Sequence, residues 1–263
     1  IKEDSSIGEV REAVVAPRFR RRGIMSRMME ELIQLARENG LAALFGIAVT
    51  VHPVSQKVNA KYGFKSTALM LAASKNPSFK GIVNEYPQPG SLVIDFLPIL
   101  EQETKTIYLP EKYRDIIEET YRQLEIPIQI DRINAVLAER SSIDMKINYT
   151  SATSLIIVNK YGSDFRSVLT DMIESLEAQK ELHAIFLDLP LENEATPEQW
   201  KEIEDFGFIY SGLVPLFHEE SDYLRMQKVY YELDLDLIEV YSDFGKKIKS
   251  LISDEYHRIQ KTG

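Results

Sequence analysis

Apolar and polar positions along the chain fall into alternating blocks of two periods. Residues 8–16, GEVREAVVA, are β-branched and partly alternating, as a strand requires. From Ile24 to Asn39 the apolar positions Met25, Met28, Met29, Leu32, Leu35 and Ala36 recur at helical spacing, and Gly40 closes the run as a C-cap. LAALFGIAV (41–49) is an unbroken apolar run of buried-strand length. HPVSQKVNAK (52–61) reads as a short helix entered through a proline, and FKSTALMLAA (64–73) as a further strand. Three prolines and two glycines between Asn76 and Ser91 mark a long connection, which leads into the strand LVIDFLPI (92–99).

A second series starts at Thr106. It predicts a short strand TIYLP, a helix over 111–124, strands within 132–148 and over 153–160, and a helix over 165–180. The strand 183–189, the helix 197–205 and the strands 208–214 and 224–233 follow. The two series share a weak repeat. LAALFG (41–46) matches LHAIFL (182–187), and KYGFKST (61–67) matches DFGFIYS (205–211), with a short helix between the paired elements in each half. Two copies of one α/β unit, divided near residue 102, is the economical reading. The tail 235–262 has apolar residues at Leu237, Tyr241, Phe244, Ile248 and Leu251, a helix interrupted at Gly245 that docks on its own domain.

Composition narrows the function classes. The 263 residues carry 31 Lys plus Arg against 41 Asp plus Glu, a net charge of -10. That balance disfavours a nucleic-acid binder, whose domain or one whole face is basic. There is no cysteine, hence no disulfide, thiolate metal site or cysteine nucleophile, in keeping with a reducing compartment. The four histidines, His52, His183, His218 and His257, have no metal-ligand spacing, so no metal is expected. No apolar run is long enough to span a bilayer and the first residues have no signal-peptide pattern, so the chain is expected in the cytoplasm, away from membranes. Because it enters a strand almost at once, it is also expected to be part of something longer.

Against this acidic background VVAPRFRRRGIM (14–25) stands out. Arg18, Arg20, Arg21 and Arg22 sit between a strand and the start of a helix, and Gly23 opens that helix. A helix N-terminus offers unpaired N–H groups and the positive end of the dipole, and arginines add planar donors for phosphate oxygens. A diphosphate is the guest such a loop would suit. The alternative is a solvated charge run paired with Glu30 and Glu31. Neither GxxxxGK[ST] nor GxGxxG is present, so the loop is not a nucleotide P-loop or a dinucleotide fingerprint.

VAPRFRRRGI resembles the signature V-x-P-x-(Tyr/Phe)-R-x-x-G-x-(Gly/Ala) of the GNAT acyl-CoA N-acyltransferases, followed in the family's order by a helix, a strand, a short helix and Gly63-Phe64. The resemblance covers roughly 8–99 and, taken with the internal repeat, gives an expectation of two GNAT-like mixed-sheet α/β units in tandem. The first, 1–101, would hold the CoA-binding loop without the family's N-terminal strands. The second, 102–263, would be a degenerate copy with a C-terminal amphipathic helix. Acetyl-CoA or another acyl-CoA would be the co-substrate and an amine the acceptor. Val14 and Val15 would pair with the pantetheine arm; Arg20, Arg21, Arg22, Gly23, Ile24 and Met25 would cradle the pyrophosphate; Ser26 would add a hydroxyl.

Met25 stands where the family usually has glycine or alanine. Asn59, four residues before Gly63, stands where it usually has a tyrosine that protonates the departing thiolate. His52 falls near the thioester and has a side chain suited to acid–base work near neutral pH; capping the strand end is its other reading. Glu9 and Glu12 lie on the strand where the family often places the base, and both also suit an exposed strand face. In the second half NKYGSDF (159–165) replaces the arginine loop, with Asp164 placed to repel a phosphate. Loss of these features leaves a second function open, a non-catalytic CoA- or partner-binding module on the same scaffold. More loosely, HPVSQK (52–57), GSLVIDFLPI (90–99) and 188–215 resemble GNAT portions of proteins fused to an anti-sigma-type ATP-binding domain, which would make an upstream regulatory domain a partner.

Overall fold

The structure, a computed structural model, describes residues 6–11, 15–19, 22–75, 86–132, 135–179 and 181–260. It is a mixed α/β fold organised on one nine-stranded sheet. In the N-terminal half, strand β1 (Ile7–Val10) precedes helix α1 (Ile24–Glu38), strand β2 (Ala43–Val49), helix α2 (Val54–Lys61) and strands β3 (Lys65–Ser74) and β4 (Gly90–Pro98). Strands β5 (Lys105–Ile107) and β6 (Ile128–Ile130) form a separate parallel pair around helix α3 (Arg114–Leu124). The C-terminal half continues with β7 (Ser142–Asn148), β8 (Thr153–Lys160), α4 (Phe165–Glu177), β9 (Ala184–Pro190), α5 (Thr196–Asp205), β10 (Ile209–His218), β11 (Ser221–Val229) and α6 (Asp243–Gln260).

The strand order β1-β2-β4-β3-β10-β11-β9-β8-β7 has a seam at β3 and β10. Outward from it in either direction the pairing is the same: an antiparallel hairpin (β3–β4, β10–β11), then an antiparallel neighbour (β2, β9), then a parallel one (β1, β8). The seam is made by equivalent residues, Ala68 opposite Gly212, each five positions after the Gly-Phe of its half. Gly212 is there for lack of room, since a Cβ would stand 2.2 Å from the Thr67 carbonyl oxygen. Side chains complete the join. Gln227 Nε2 donates to the Leu69 and Tyr210 carbonyls at 3.1 and 2.9 Å, its Oε1 accepts from Leu71 N–H at 2.7 Å, and Ser211 Oγ donates to Leu69 O at 3.0 Å. Phe45 of β2 and Phe217 of β10 also meet, with ring centroids 4.7 Å apart.

Helix α6 packs on both β3 and β10 and so clasps the seam. Its inner face buries Ile248, Ile252 and Tyr256, each worth about 1.5–3 kcal/mol of apolar burial. Gly245 does not break the helix. It lets the first turn approach β3, where a Cβ would lie 3.3 Å from Ser66 Cβ. Glu255 is buried and satisfied by Tyr113 Oη at 2.8 Å, Tyr210 N–H at 2.8 Å and Lys112 Nζ at 2.6 Å.

Two further expectations are corrected. The strand expected over 8–16 is described only as Ile7–Val10, and Val15 and Ala16 lie outside any strand before a 3-10 turn at Pro17–Phe19. The tail helix starts at Asp243, because Ser242 caps it, its Oγ accepting the Gly245 N–H at 3.0 Å. Leu237 and Tyr241 therefore precede the helix and are exposed. The short β6, with no period of its own, was not foreseen.

Candidate active site

The site is built from the start of α1 and the last residues of β2. The Pro17–Phe19 turn brings Phe19 to the surface, with the Arg18 guanidinium 4.7 Å and that of Arg22 5.8 Å from its ring centroid. Gly23 follows as the N-cap of α1 at φ 71°, left-handed, and no side chain caps the helix. Among the described residues nothing lies within 4 Å of where a Gly23 Cβ would be. The first turn of α1 thus begins in open space with uncapped N–H donors and two described arginines beside it. Arg27 steadies the turn: its N–H reaches Gly23 O at 3.1 Å and its Nη2 reaches Arg22 O at 3.3 Å. Among the described residues neither Arg18 nor Arg22 pairs with Glu30 or Glu31.

Ile24, Met25 and Ser26 are half-buried in the first turn. Met25 turns its side chain into the cluster of Met29, Ile33, Ala36, Leu44 and Phe64 that holds α1 to the sheet. Ser26 Oγ accepts from Lys61 Nζ at 3.1 Å, and Lys61 also reaches Tyr62 Oη at 3.3 Å. Tyr62 is itself packed against the α1 cluster. Of the remaining residues expected in the cradle and slot, Val15 is half-buried, and Val14, Arg20 and Arg21 lie outside the described residues.

Beside this helix start, β1 pairs with β2 from Ile7–Ala43 to Val10–Gly46 and then ends, while β2 runs on to Val49. Among the described residues no strand covers Ile47–Val49 on that side, although β4 pairs with them on the other. Ile47 is 41% exposed, which marks this as an open edge at the carboxyl end of two parallel strands. His52, half-buried, follows the end of β2, and its Nδ1 accepts the Val54 N–H at 3.4 Å. Glu9 is exposed on β1 opposite Phe45, 3.5 Å from Arg11 Nε, so it sits at the start of β2 and His52 at its end. Glu12 lies outside the described residues.

Asn59 has a partner that the sequence reading missed. Its Nδ2 donates to Asp95 Oδ2 at 2.9 Å, and Ser66 Oγ donates to the other oxygen at 2.8 Å. Burial pushes the Asp95 carboxyl up to about 6 against the pull of these two hydrogen bonds. The contact needs Gly46, whose added Cβ would come within 3.1 Å of Asn59 Nδ2. Asn59 is thus a tie between α2 and β4. The signal was a lone carboxylate inside the apolar run LVIDFLPI.

Residues 1–64 match the family described as the acetyltransferase (GNAT) family. This segment is similar to the GNAT superfamily. The match ends at Phe64, so it takes in β1, the arginine turn, α1, β2 and α2, the elements that surround the open helix start. Members of that family are in general acyl-CoA-dependent acyltransferases. The looser similarity to ATP-binding fusion proteins is not shown, and no curated protein matches the chain. Among the described residues no cluster of His, Asp and Glu could hold a metal ion, and no helix is long and apolar enough to cross a membrane.

Outside the GNAT segment, the corresponding helix start in the C-terminal half is closed. The segment around 138–141 lies across it. Ser163 N–H donates to Ala138 O at 2.9 Å, Gly162 N–H to Ser141 Oγ at 2.9 Å, and Asp164 Oδ1 accepts Ser141 N–H at 2.7 Å. A Cβ on Gly162 would meet the Arg140 carbonyl carbon at 2.2 Å. The hydrogen bonds from Ser141 hold the Asp164 carboxyl below the usual range, so the α4 start carries a negative charge.

Proposed function

We propose that this protein is an N-acyltransferase that uses acetyl-CoA or another acyl-CoA, with its cofactor site in residues 1–101 and a second, closed GNAT-like unit in 102–263. The observation that carries this reading is the left-handed, uncapped Gly23 start of α1 in open space. Backbone N–H groups of Ile24, Met25 and Ser26, with Arg20, Arg21 and Arg22, would bind the pyrophosphate. The pantetheine arm would lie along Ile47–Val49, with Val14 and Val15 opposite. CoA supplies the activated thioester. The acceptor amine forms the C–N bond as the C–S bond breaks, and its proton passes to Glu9, Glu12 or His52. No covalent enzyme intermediate is required, in keeping with a chain without cysteine.

One observation favours a second reading, CoA binding without turnover: the amide of Asn59 is committed to Asp95 and has no proton to give a thiolate. Calorimetric titration of acetyl-CoA tests the site. Micromolar binding is expected, weaker at moderate than at low salt and at least tenfold weaker in Arg20→Ala plus Arg22→Ala. No binding to the unaltered chain would sink the proposal. Release of free thiol with a panel of amines then separates the enzyme from the binding module.

A further inference from the structure

A cavity of about 510 Å3 lies far from the GNAT slot, between the β7–β8 turn and the C-terminal end of α4. It opens at the amino-terminal ends of β8 and β9, whereas the GNAT slot lies at the carboxyl ends of β1 and β2. Ile147, Ala152 and Leu182 give it apolar wall. Ser154 also lines it, 2% exposed, with an Oγ that has no hydrogen-bond partner among the described residues. Next to Leu182, His183 likewise holds a buried Nδ1 without a partner. Burial, then the Lys75 charge, keeps this imidazole below its ordinary pKa, so it is neutral at pH 7. Each of these orphaned polar atoms forfeits about 1–3 kcal/mol, and neither has a part in acyl transfer.

Lys75, one residue past β3, and Glu181, from the C-terminal half, both line this cavity and pair with each other at 2.7 Å. Among the described residues the cavity therefore bridges the two halves with one positive and one negative group. A ligand with a single charge would satisfy one of them and strand the other. A ligand with both charges replaces one ion pair by two.

We propose that this cavity binds a small zwitterion, an α-amino acid with an apolar side chain. Its carboxylate would face Lys75, its ammonium Glu181, and its side chain Ile147 and Leu182. This site is independent of the acyltransferase reading.

The test is calorimetric titration of L-leucine, L-methionine and L-phenylalanine into the full chain without CoA, beside 4-methylpentanoate and 3-methylbutylamine, which each keep one charge of leucine. At least one amino acid is expected to bind, with the single-charge analogues at least tenfold weaker. Glu181→Gln, at a surface carboxylate, should cost at least tenfold in affinity without a shift in Tm. The Arg20→Ala plus Arg22→Ala variant should bind the amino acid as well as the unaltered chain, which separates this site from the CoA site. Failure of all three amino acids to bind, equal binding of a single-charge analogue, or indifference to Glu181→Gln would each overturn the proposal.

Discussion

The starts of α1 and α4 occupy corresponding places in the two halves, each after the strand that pairs in parallel with its neighbour and before that neighbour. One is open and the other is plugged. At α1 a left-handed glycine has no described residue within 4 Å of its Cβ position and no side-chain cap. At α4 the chain around 138–141 lies against Gly162, and an acidic N-cap residue takes the place of arginine. An acidic side chain at a helix N-terminus stabilises the helix and excludes a phosphate for the same electrostatic reason. The same architecture thus gives an anion site in one half and a stable helix end in the other, and the difference lies in a few residues of loop.

The glycines of the two starts offer the sharpest way to break this contrast. Gly162→Ala would drive a methyl into backbone at 2.2–2.7 Å, so a loss of about 3 kcal/mol is expected, read as a fall in the denaturation midpoint. Gly23→Ala meets no atom of the described residues and strains φ, for about 1 kcal/mol, yet its methyl would stand where a phosphate must approach. Acetyl-CoA affinity should fall about tenfold in Gly23→Ala and stay unchanged in a folded Gly162→Ala, by calorimetry. Equal destabilisation by both, or no effect of Gly23→Ala on affinity, would mean the α1 start is not the open site described.

The sequence shows the helices and strands well because their periods are long and their punctuation is clear: Gly40 ends one helix, and Gly63 and Gly207 precede equivalent strands. LAALFG and LHAIFL read alike because each leads into a strand, β2 and β9, that has a neighbour on both sides. The arginine turn was legible from charge and one glycine. What was not legible depends on contacts between distant residues. Nothing near Asn59 announces Asp95, 36 positions away. The bidentate pair of Asp188 with Arg225 at 2.7 and 2.6 Å joins β9 to β11 inside runs that read as plain apolar strands. The plug on α4 is made by the chain around 138–141, more than twenty residues before the helix it covers.

Those two buried aspartates extend the contrast to pH. At Asp188 burial raises the pKa, but the charge and hydrogen bonds of Arg225, with His218 at 2.7 Å, more than offset it, so the carboxyl lies below its ordinary range. Its contribution is present above the ordinary carboxylate pKa and lost as pH falls through the lower folded value. Asp95 has only neutral donors and lies at about 6, so the sign reverses. Between the ordinary carboxylate value and about 6 the folded chain keeps a proton that the unfolded chain has lost. Stability from this group therefore falls as pH rises through that window, by about 3 kcal/mol at most. Asp95→Asn should remove that fall, so the variant gains Tm relative to the unaltered chain from pH 4 to pH 7. Parallel Tm curves for the two proteins across that range would show that Asp95 is ionised throughout.

Met25 gives the smallest effect and the finest test of the open start. The family signature has glycine or alanine at this position, where bulk would crowd the pyrophosphate. Here the side chain is packed against the α1 cluster with Met29 and Phe64. Shortening it would therefore remove packing and leave the anion site as it is. Met25→Ala should lose about 1 kcal/mol of stability, since the side chain is only half-buried. Its acetyl-CoA affinity should stay within about threefold of the unaltered chain. A tenfold gain in affinity would mean that the methionine swings over the helix end in solution, and that the two helix starts are both guarded, one by a loop and the other by a side chain.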